Sequence, residues 1–530
     1  MEKITEIIKK YKLNIVVFII IFIIAIFLRT YKLESIPSGV NVDEAGMAYD
    51  AFCIANFRVD RALNKLPVYF VNFGGGQSVL YGYVTSIFIK LFGFNLTSIR
   101  VTAVILNCLA IVACYLMIRK NIGEKSALLV TLLLTINPWN IMSSRWGLDC
   151  NLLAPCLIIS LFFLLRAKKW YDYILAGISF GVTLYTYAIS YIIVPIFLLL
   201  SLIYMLYVKR ISFKNIFILG IPIFIFALPL MLMLLVNNGF IDQINWIITI
   251  PKLPNYRSAE VSFKNIIPNI KSLDKVFIYD DLPFNSLPEF GTLYNFAIIL
   301  SVCGIIIEAF ELAKSIKQKK FKANSVIFLL FVSVACTMLL IADVNISKSN
   351  AIYFPLIFFA YSTIYYIYQK QNSKLEKDTD KNKKIEIIFS RIILILITIM
   401  YIINFSMFTY YYFTQYEKDY EHQQFFEKDL IEAIRQVNGR AELKEKNVCI
   451  YTGAERPHIY ALYANPISPY EFNKTRDEND NYDRFVVNEK IIDNSYVYIV
   501  RADSDFSYEL AHNYGFTSEV VGIYILLYKI

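Results

Sequence analysis

The chain has 530 residues, of which 57% are hydrophobic, 16% aromatic and only 18% charged. That much apolar side chain exceeds what one soluble core can hide, which excludes a soluble globular protein and predicts a polytopic membrane protein. The net charge of +9 would suit an acidic polymer, but its Lys and Arg cluster beside apolar runs, as residues that orient a protein in a bilayer do, and nothing points to nucleic acid.

The first element is an apolar stretch from Asn14 to Leu28 behind Lys9, Lys10 and Lys12. It resembles a signal peptide but has no small-residue cleavage site, so it reads as an uncleaved spanning helix. Residues 32 to 99 follow, with two adjacent acids, Asp43 and Glu44, near their start. The segment from Val79 to Phe94 is short and interrupted by Lys90, which predicts a helix lying in the outer interface and not a crossing. Ten further apolar runs come near 101–118, 126–138, 152–165, 173–188, 190–208, 213–236, 293–313, 325–342, 350–369 and 388–412. Most of them, with their flanks, suffice to cross about 30 Å of hydrocarbon. About eleven transmembrane helices are expected.

Basic clusters punctuate these runs: Arg119, Lys120 and Lys125; Arg166, Lys168 and Lys169; Lys209, Arg210 and Lys214; Lys314 to Lys322; and Lys370 to Lys384. With the N-terminus inside, every one of them falls on the cytoplasmic side. The same parity places outside residues 32–99, a loop from about 237 to 290, and everything after about Tyr412. The expected division is therefore a membrane domain over 1–412 and an extracytoplasmic domain over 413–530. That last part holds all three histidines and alternates a helical pattern, "FFEKDLIEAIRQV", with β-rich runs such as "SYVYIVRA", which predicts a small α/β domain. Its stretch "EFNKTRDENDNYDRF" reads as a flexible excursion. Cys108, Cys114, Cys156, Cys303 and Cys336 lie inside apolar runs, where a thiol packs as a small hydrophobe, so no disulfide framework is expected. No GxxxxGK[ST] segment is present, which argues against chemistry driven directly by ATP.

Helix capping alone accounts for the acidic pair locally. Asn41 suits an N-cap, Glu44 then stands at the N3 position of a capping box, and acids in a first turn favour the helix dipole. Ala48, Ala51, Phe52 and Ala55 follow as a stripe suited to a membrane surface or a neighbouring helix. Position adds to this. The pair is separated from the first spanning helix only by "ESIPSG", so it sits at the outer lipid boundary, where a carboxylate near apolar surface can act as a proton acceptor. The stretch "PSGVNVDEAGMAYDA", then "FGGGQSVLYGYV", then "KLFGFNLTSIRVTAVI" resembles the membrane glycosyltransferases of the C-type fold, in particular glycosyltransferase family 39, the protein O-mannosyltransferases and aminoarabinose transferases. The likeness covers roughly the first 210 residues; the remaining helices agree in arrangement.

That resemblance implies an enzyme that takes a sugar from a polyprenyl-phosphate donor and passes it to an acceptor hydroxyl on the outer face, usually with inversion. The acceptor would be a protein, a lipid or a cell-wall glycan, and the setting a bacterial plasma membrane. Asp43 would match the family's acid in the first outer loop, the general base, and Glu44 would hold the acceptor or orient that base. The departing phosphate needs positive partners, and Arg100 matches an Arg of the family, with an interfacial anchor as its plainer role. Arg145 and Asp149 stand at an (i, i+4) spacing that allows an ion pair, and Asp149 would contribute to the active centre. Lys348 and Asn350 stand at the outer start of a helix, in a pattern similar to a relative's that carries Arg where Lys348 stands here, Arg257 lies in the large loop, and Tyr81 is a candidate for touching sugar or lipid. No histidine lies in the membrane part, so no metal is required by this reading, although Asp43, Glu44 and Asp149 could hold a divalent ion through oxygen. The alternatives are a secondary transporter, which should carry ionisable residues near the midplane and repeated halves, a lipid-linked glycan flippase or ligase, and a receptor using the tail domain.

Overall fold

The computed structural model describes residues 2–256, 260–372 and 381–529. Eleven helices occupy the eleven apolar segments: α1 (Glu2–Thr30), α4 (Leu96–Asn121), α5 (Glu124–Thr135), α6 (Leu153–Arg166), α7 (Trp170–Thr183), α8 (Ser190–Tyr207), α9 (Phe213–Asn237), α10 (Asn295–Gln318), α11 (Ala323–Leu340), α12 (Tyr353–Asn372) and α13 (Lys381–Thr414). Among the described residues nine are long and apolar enough to cross a bilayer on their own. The two others, α5 and α7, rise only about 18 and 21 Å, and they pack between longer helices, α5 against α1, α4 and α12 and α7 against α6 and α9. Large apolar side chains line the outer faces, such as Ile20 and Phe27 on α1, Phe217 and Phe224 on α9 and Ile395 and Ile402 on α13. Such a belt is stable only against lipid.

Among the described residues the basic turns gather at one end of this bundle; much of the Lys370 to Lys384 cluster, residues 373–380, lies outside them. Lys120 Nζ donates to the Arg166 carbonyl at 3.2 Å and Arg210 Nη2 to the Ala167 carbonyl at 3.0 Å. Arg210 also lies 5.3 Å from the Phe321 ring, and Lys125 5.9 Å from that of Tyr368.

The first long loop holds two helices, α2 (Val42–Phe57) and α3 (Leu80–Phe92), and between them a hairpin of β1 (Tyr69–Phe70) and β2 (Gln77–Ser78). Thirteen residues long, α3 buries Tyr81, Thr85 and Ile89 and exposes Ile87, Leu91 and Phe92, the two-faced pattern of a helix lying along an interface.

The C-terminal part folds as a five-stranded mixed sheet built from β3 (Val448–Tyr451), β4 (Phe485–Val487), β5 (Val497–Arg501), β6 (Thr517–Val521) and β7 (Tyr524–Tyr528), in the order β4-β3-β5-β7-β6. β3 pairs in parallel with both β4 and β5, and β7 runs antiparallel to β5 and β6. Two helices, α14 (Lys428–Gly439) and α15 (Pro457–Ala464), cover it. Its core runs on into the membrane loop: Ala45, Ala48, Tyr49 and Cys53 of α2 join Leu430, Ile434, Leu462 and Tyr463 in one apolar cluster. The stretch 471–485 departs from the expected excursion. Phe472 and Tyr482 are buried and their rings meet edge to face at 5.2 Å, so two aromatic anchors hold a polar segment against the domain.

Candidate active site

α2 starts where Asn41 caps it, its Oδ1 accepting the Asp43 backbone N–H at 3.0 Å. The capping box is not completed. Glu44 is fully buried; its Oε1 accepts from Arg100 Nε at 2.9 Å and the Gly147 N–H at 2.6 Å, and its Oε2 from Arg100 Nη2 at 3.0 Å. Arg100 gives its remaining N–H groups to the carbonyls of Leu33 (3.0 Å), Pro37 (2.6 Å) and Gly39 (2.8 Å). All five guanidinium donors are thereby engaged. In contrast to the expected phosphate contact, Arg100 fastens the first loop and Glu44 to the start of α4.

Adjacent residues on a helix point about 100° apart, and Asp43 faces the other way. Half-buried at the mouth of the loop, its Oδ1 accepts from Asn72 Nδ2 at 3.4 Å. Its charge acts on that of Asp149. Asp149 is 5% exposed, and its carboxylate accepts the backbone N–H groups of Ser78 (3.1 Å) and Cys150 (2.8 Å). Ser78 ends the hairpin and Asn72 stands at its turn, so a single hairpin reaches both acids. The turn needs unusual backbone: Phe73, Gly74 and Gly76 have φ of +49°, +84° and +86°. A Cβ on Gly76 would come within 2.4 Å of the Tyr69 ring, so glycine alone fits there.

The expected ion pair of Arg145 with Asp149 does not form, because residues 144–148 leave the helix and the two side chains diverge. Arg145 instead closes the end of α1, donating to the carbonyls of Leu28 (2.8 Å), Tyr31 (2.7 Å), Lys32 (3.2 Å) and Ile36 (3.0 Å), with the Phe413 ring 5.1 Å from its guanidinium. Asn350 is close to Asp149: its Oδ1 accepts from Trp139 Nε1 at 2.6 Å and its Nδ2 donates to the Cys150 carbonyl at 3.2 Å. Lys348, two residues earlier and half-buried, donates Nζ to the Ala342 carbonyl at 2.8 Å. Tyr81 is fully buried and its hydroxyl donates to the Ile99 carbonyl at 3.1 Å, which turns it into the helix packing and away from any sugar. Arg257 lies outside the described residues. Among the described residues no three His, Cys, Asp or Glu side chains converge as metal ligands.

Three residues of this neighbourhood escaped the sequence reading: Asn72, Arg61 and Asp50. Arg61 pairs with Asp50 at 2.9 Å and donates to Asn72. An eleven-residue separation across a loop leaves no periodic trace, and "VNFGGGQS" marks its glycines more than its asparagine.

Residues 77–234 match the dolichyl-phosphate-mannose-protein mannosyltransferase family. No curated protein matches the chain. Among solved structures the chain is similar to ArnT from Cupriavidus metallidurans bound to undecaprenyl phosphate, with 11% identity, a TM-score of 0.55 and 98% of each chain covered. It is also similar to the oligosaccharyltransferase AglB from Archaeoglobus fulgidus in complex with an inhibitory peptide and a dolichol-phosphate, with 14% identity, a TM-score of 0.50, and 86% of this chain and 64% of that one covered. The apo form of the Archaeoglobus fulgidus oligosaccharyltransferase aligns at 12% identity with a TM-score of 0.54, over 88% of this chain and 66% of that one. The fold is that of the C-type membrane glycosyltransferases.

Proposed function

We propose that this protein is an integral membrane glycosyltransferase that moves a sugar from a polyprenyl-phosphate donor to an acceptor hydroxyl, with inversion, on the outer face of a bacterial plasma membrane. One observation carries the reading: within the C-type fold, a half-buried Asp43 and a buried Asp149 are brought together by one hairpin at the end of the bundle away from its basic turns.

In the proposed step Asp43 takes the proton of the acceptor hydroxyl while that oxygen attacks the anomeric carbon. The bond from that carbon to the phosphate oxygen breaks, and polyprenyl phosphate leaves with the electron pair. Since Arg100 and Arg145 already serve carboxylate and carbonyl groups, Lys348 is the cation assigned to the phosphate. One of its three N–H bonds goes to Ala342 and its ammonium can serve as a point charge with the others. An apolar cavity of about 240 Å³ between α10, α11 and α12, lined by residues including Val302, Met338, Val344 and Ile352, is of a kind that accommodates an isoprenoid chain. The acceptor is a protein, lipid or cell-wall glycan hydroxyl, and the step needs no metal.

The test is turnover by purified protein in lipid nanodiscs, offered a panel of undecaprenyl-phosphate-linked monosaccharides with EDTA present, with released undecaprenyl phosphate measured. Asp43→Asn is expected to lower turnover by about two orders of magnitude or more. Turnover unchanged in Asp43→Asn would remove that residue from the chemistry. In sealed proteoliposomes, lipid-linked sugar that crosses the bilayer intact would support a flippase instead.

A further inference from the structure

One helical turn beyond Asp43, α2 carries Gly46, and the space its Cβ would need is taken by Arg61 Nη2 at 2.8 Å and Asn72 Oδ1 at 2.9 Å. These two side chains belong to a relay that ends on Asp43. At its base Asp50, 1% exposed, accepts the Arg61 backbone N–H at 2.9 Å and Nε at 3.1 Å. Arg61 Nη2 donates to Asn72 Oδ1, and Asn72 Nδ2 reaches Asp43 Oδ1 at 3.4 Å, a long contact that a bound acceptor can tighten. A guanidinium offers only donors and an ionised carboxylate only acceptors. The amide between them is therefore satisfied in one orientation, with oxygen toward Arg61 and nitrogen toward Asp43.

The C-terminal domain grips the same relay from outside the membrane part. Asn473 Nδ2 donates to the Arg61 carbonyl at 2.7 Å. Phe73, next to Asn72 and held at φ +49°, has the Arg61 guanidinium 4.9 Å and that of Arg456 5.6 Å from its ring. A non-glycine residue persists in that backbone region only when its surroundings hold it there.

We propose that Asn72 is a positioning residue that aims the Asp43 carboxylate, that Arg61 locks the Asn72 amide in the orientation that does so, and that the C-terminal domain holds Arg61 through Asn473. The assignment rests on Asp43 being the base, and it gives the C-terminal domain a part in the chemistry without touching substrate.

A substrate-free measurement tests it. Full-length protein in nanodiscs is treated with a water-soluble carbodiimide and glycinamide across a pH series, and conversion at Asp43 is followed by peptide mass spectrometry, with exposed Asp343 as internal control. Carbodiimide reacts with the protonated carboxyl, so losing a donor to the carboxylate raises the pH at which labelling is half complete. Asn72→Ala is expected to raise it by about one pH unit. Asn72→Asp keeps a partner for Arg61, which preserves the fold, yet sets a second carboxylate against Asp43, and is expected to raise it further. Gly46→Ala, which displaces both relay side chains, and Asn473→Ala should raise it by smaller amounts. Once a donor is identified, Asn72→Ala should lower kcat by about ten- to a hundredfold with little change in KM. A midpoint unmoved in both Asn72 variants overturns the positioning role, and one that moves in them but not in Asn473→Ala overturns the part given to the C-terminal domain. A raised midpoint in a protein that transfers no sugar supports the relay while defeating the transferase reading, so the two fail separately.

Discussion

Asp43 and Glu44 are neighbours in the chain with opposite surroundings, and the difference decides what each can do. Glu44 is walled in by Arg100 and the Gly147 N–H, whereas Asp43 stands at the mouth with Asn72 and Asp149 about it. Removing one member of a buried ion pair leaves its partner's charge uncompensated, at a cost of about 3–5 kcal/mol. Glu44→Ala is therefore expected to lower the thermal unfolding temperature of the detergent-solubilised protein strongly, while Asp43→Asn changes it little. Equal losses in the two variants would mean that both acids serve the fold. Arg100→Lys should rescue poorly, because an ammonium cannot reproduce a five-donor fork that reaches three carbonyls and a carboxylate.

At the level of elements, glycine sets how closely the helices cross. A Cβ on Gly304 of α10 would lie 2.0 Å from the Phe359 carbonyl oxygen of α12, and one on Gly177 of α7 would lie 2.3 Å from the Leu219 oxygen of α9. Backbone cannot yield as a side-chain tip can, so the helices must part. Gly304→Ala is expected to destabilise the protein by about 1–3 kcal/mol, read as thermal unfolding in detergent. Gly220→Ala on α9, where the added Cβ meets nothing within 4 Å, should be neutral or slightly stabilising. Equal behaviour of the two variants would dismiss close crossing as the reason for Gly304. Helices α10, α11 and α12 share a polar tie inside the bundle: Glu308 of α10 accepts from Ser362 Oγ of α12 at 2.6 Å and Asn324 Nδ2 of α11 at 3.1 Å. Buried there, this acid is joined to neighbouring helices in the manner of interhelical hydrogen bonds.

Across the whole molecule, the C-terminal domain closes over the first loop. The Val40 N–H donates to the Phe426 carbonyl at 2.7 Å, the Ser38 N–H to Glu417 at 2.9 Å and the Tyr49 hydroxyl to the Ile467 carbonyl at 3.0 Å. His458, 5% exposed, sits in this domain beside Asp480 at 3.5 Å. Burial first, and then the positive charge of Arg61, Arg476 and Arg456, outweigh Asp480 and hold the imidazole down at about 4. An unfolded His titrates near 6.5. Below that pH the unfolded chain takes a proton that the native chain refuses, so the stability His458 contributes above about 6.5 is lost as pH falls toward 4. The unfolding temperature of the full-length protein is expected to drop across that window, and His458→Gln to flatten the drop. An unaltered pH profile in His458→Gln would place the sensitivity elsewhere.

The helices, the short two-faced α3 and the acids at the start of α2 were all legible in the amino-acid order, because apolar run length, Lys and Arg placement and capping residues act over a few neighbours in the chain. The partners of each charge were not. Arg100 and Arg145 carry the same signature, an arginine shortly before an apolar run, and only the course of residues 28–39 around them decided that both would bind carbonyls. Asn72 and Asp149 are 77 positions apart, Arg61 and Asn473 more than 400, and no local pattern encodes such distances. Periodicity is a property of one segment in its solvent and can be read from that segment, whereas hydrogen-bond geometry is set by whichever distant backbone the packing delivers, so the site took shape only when the hairpin, α2 and the C-terminal domain closed on one another.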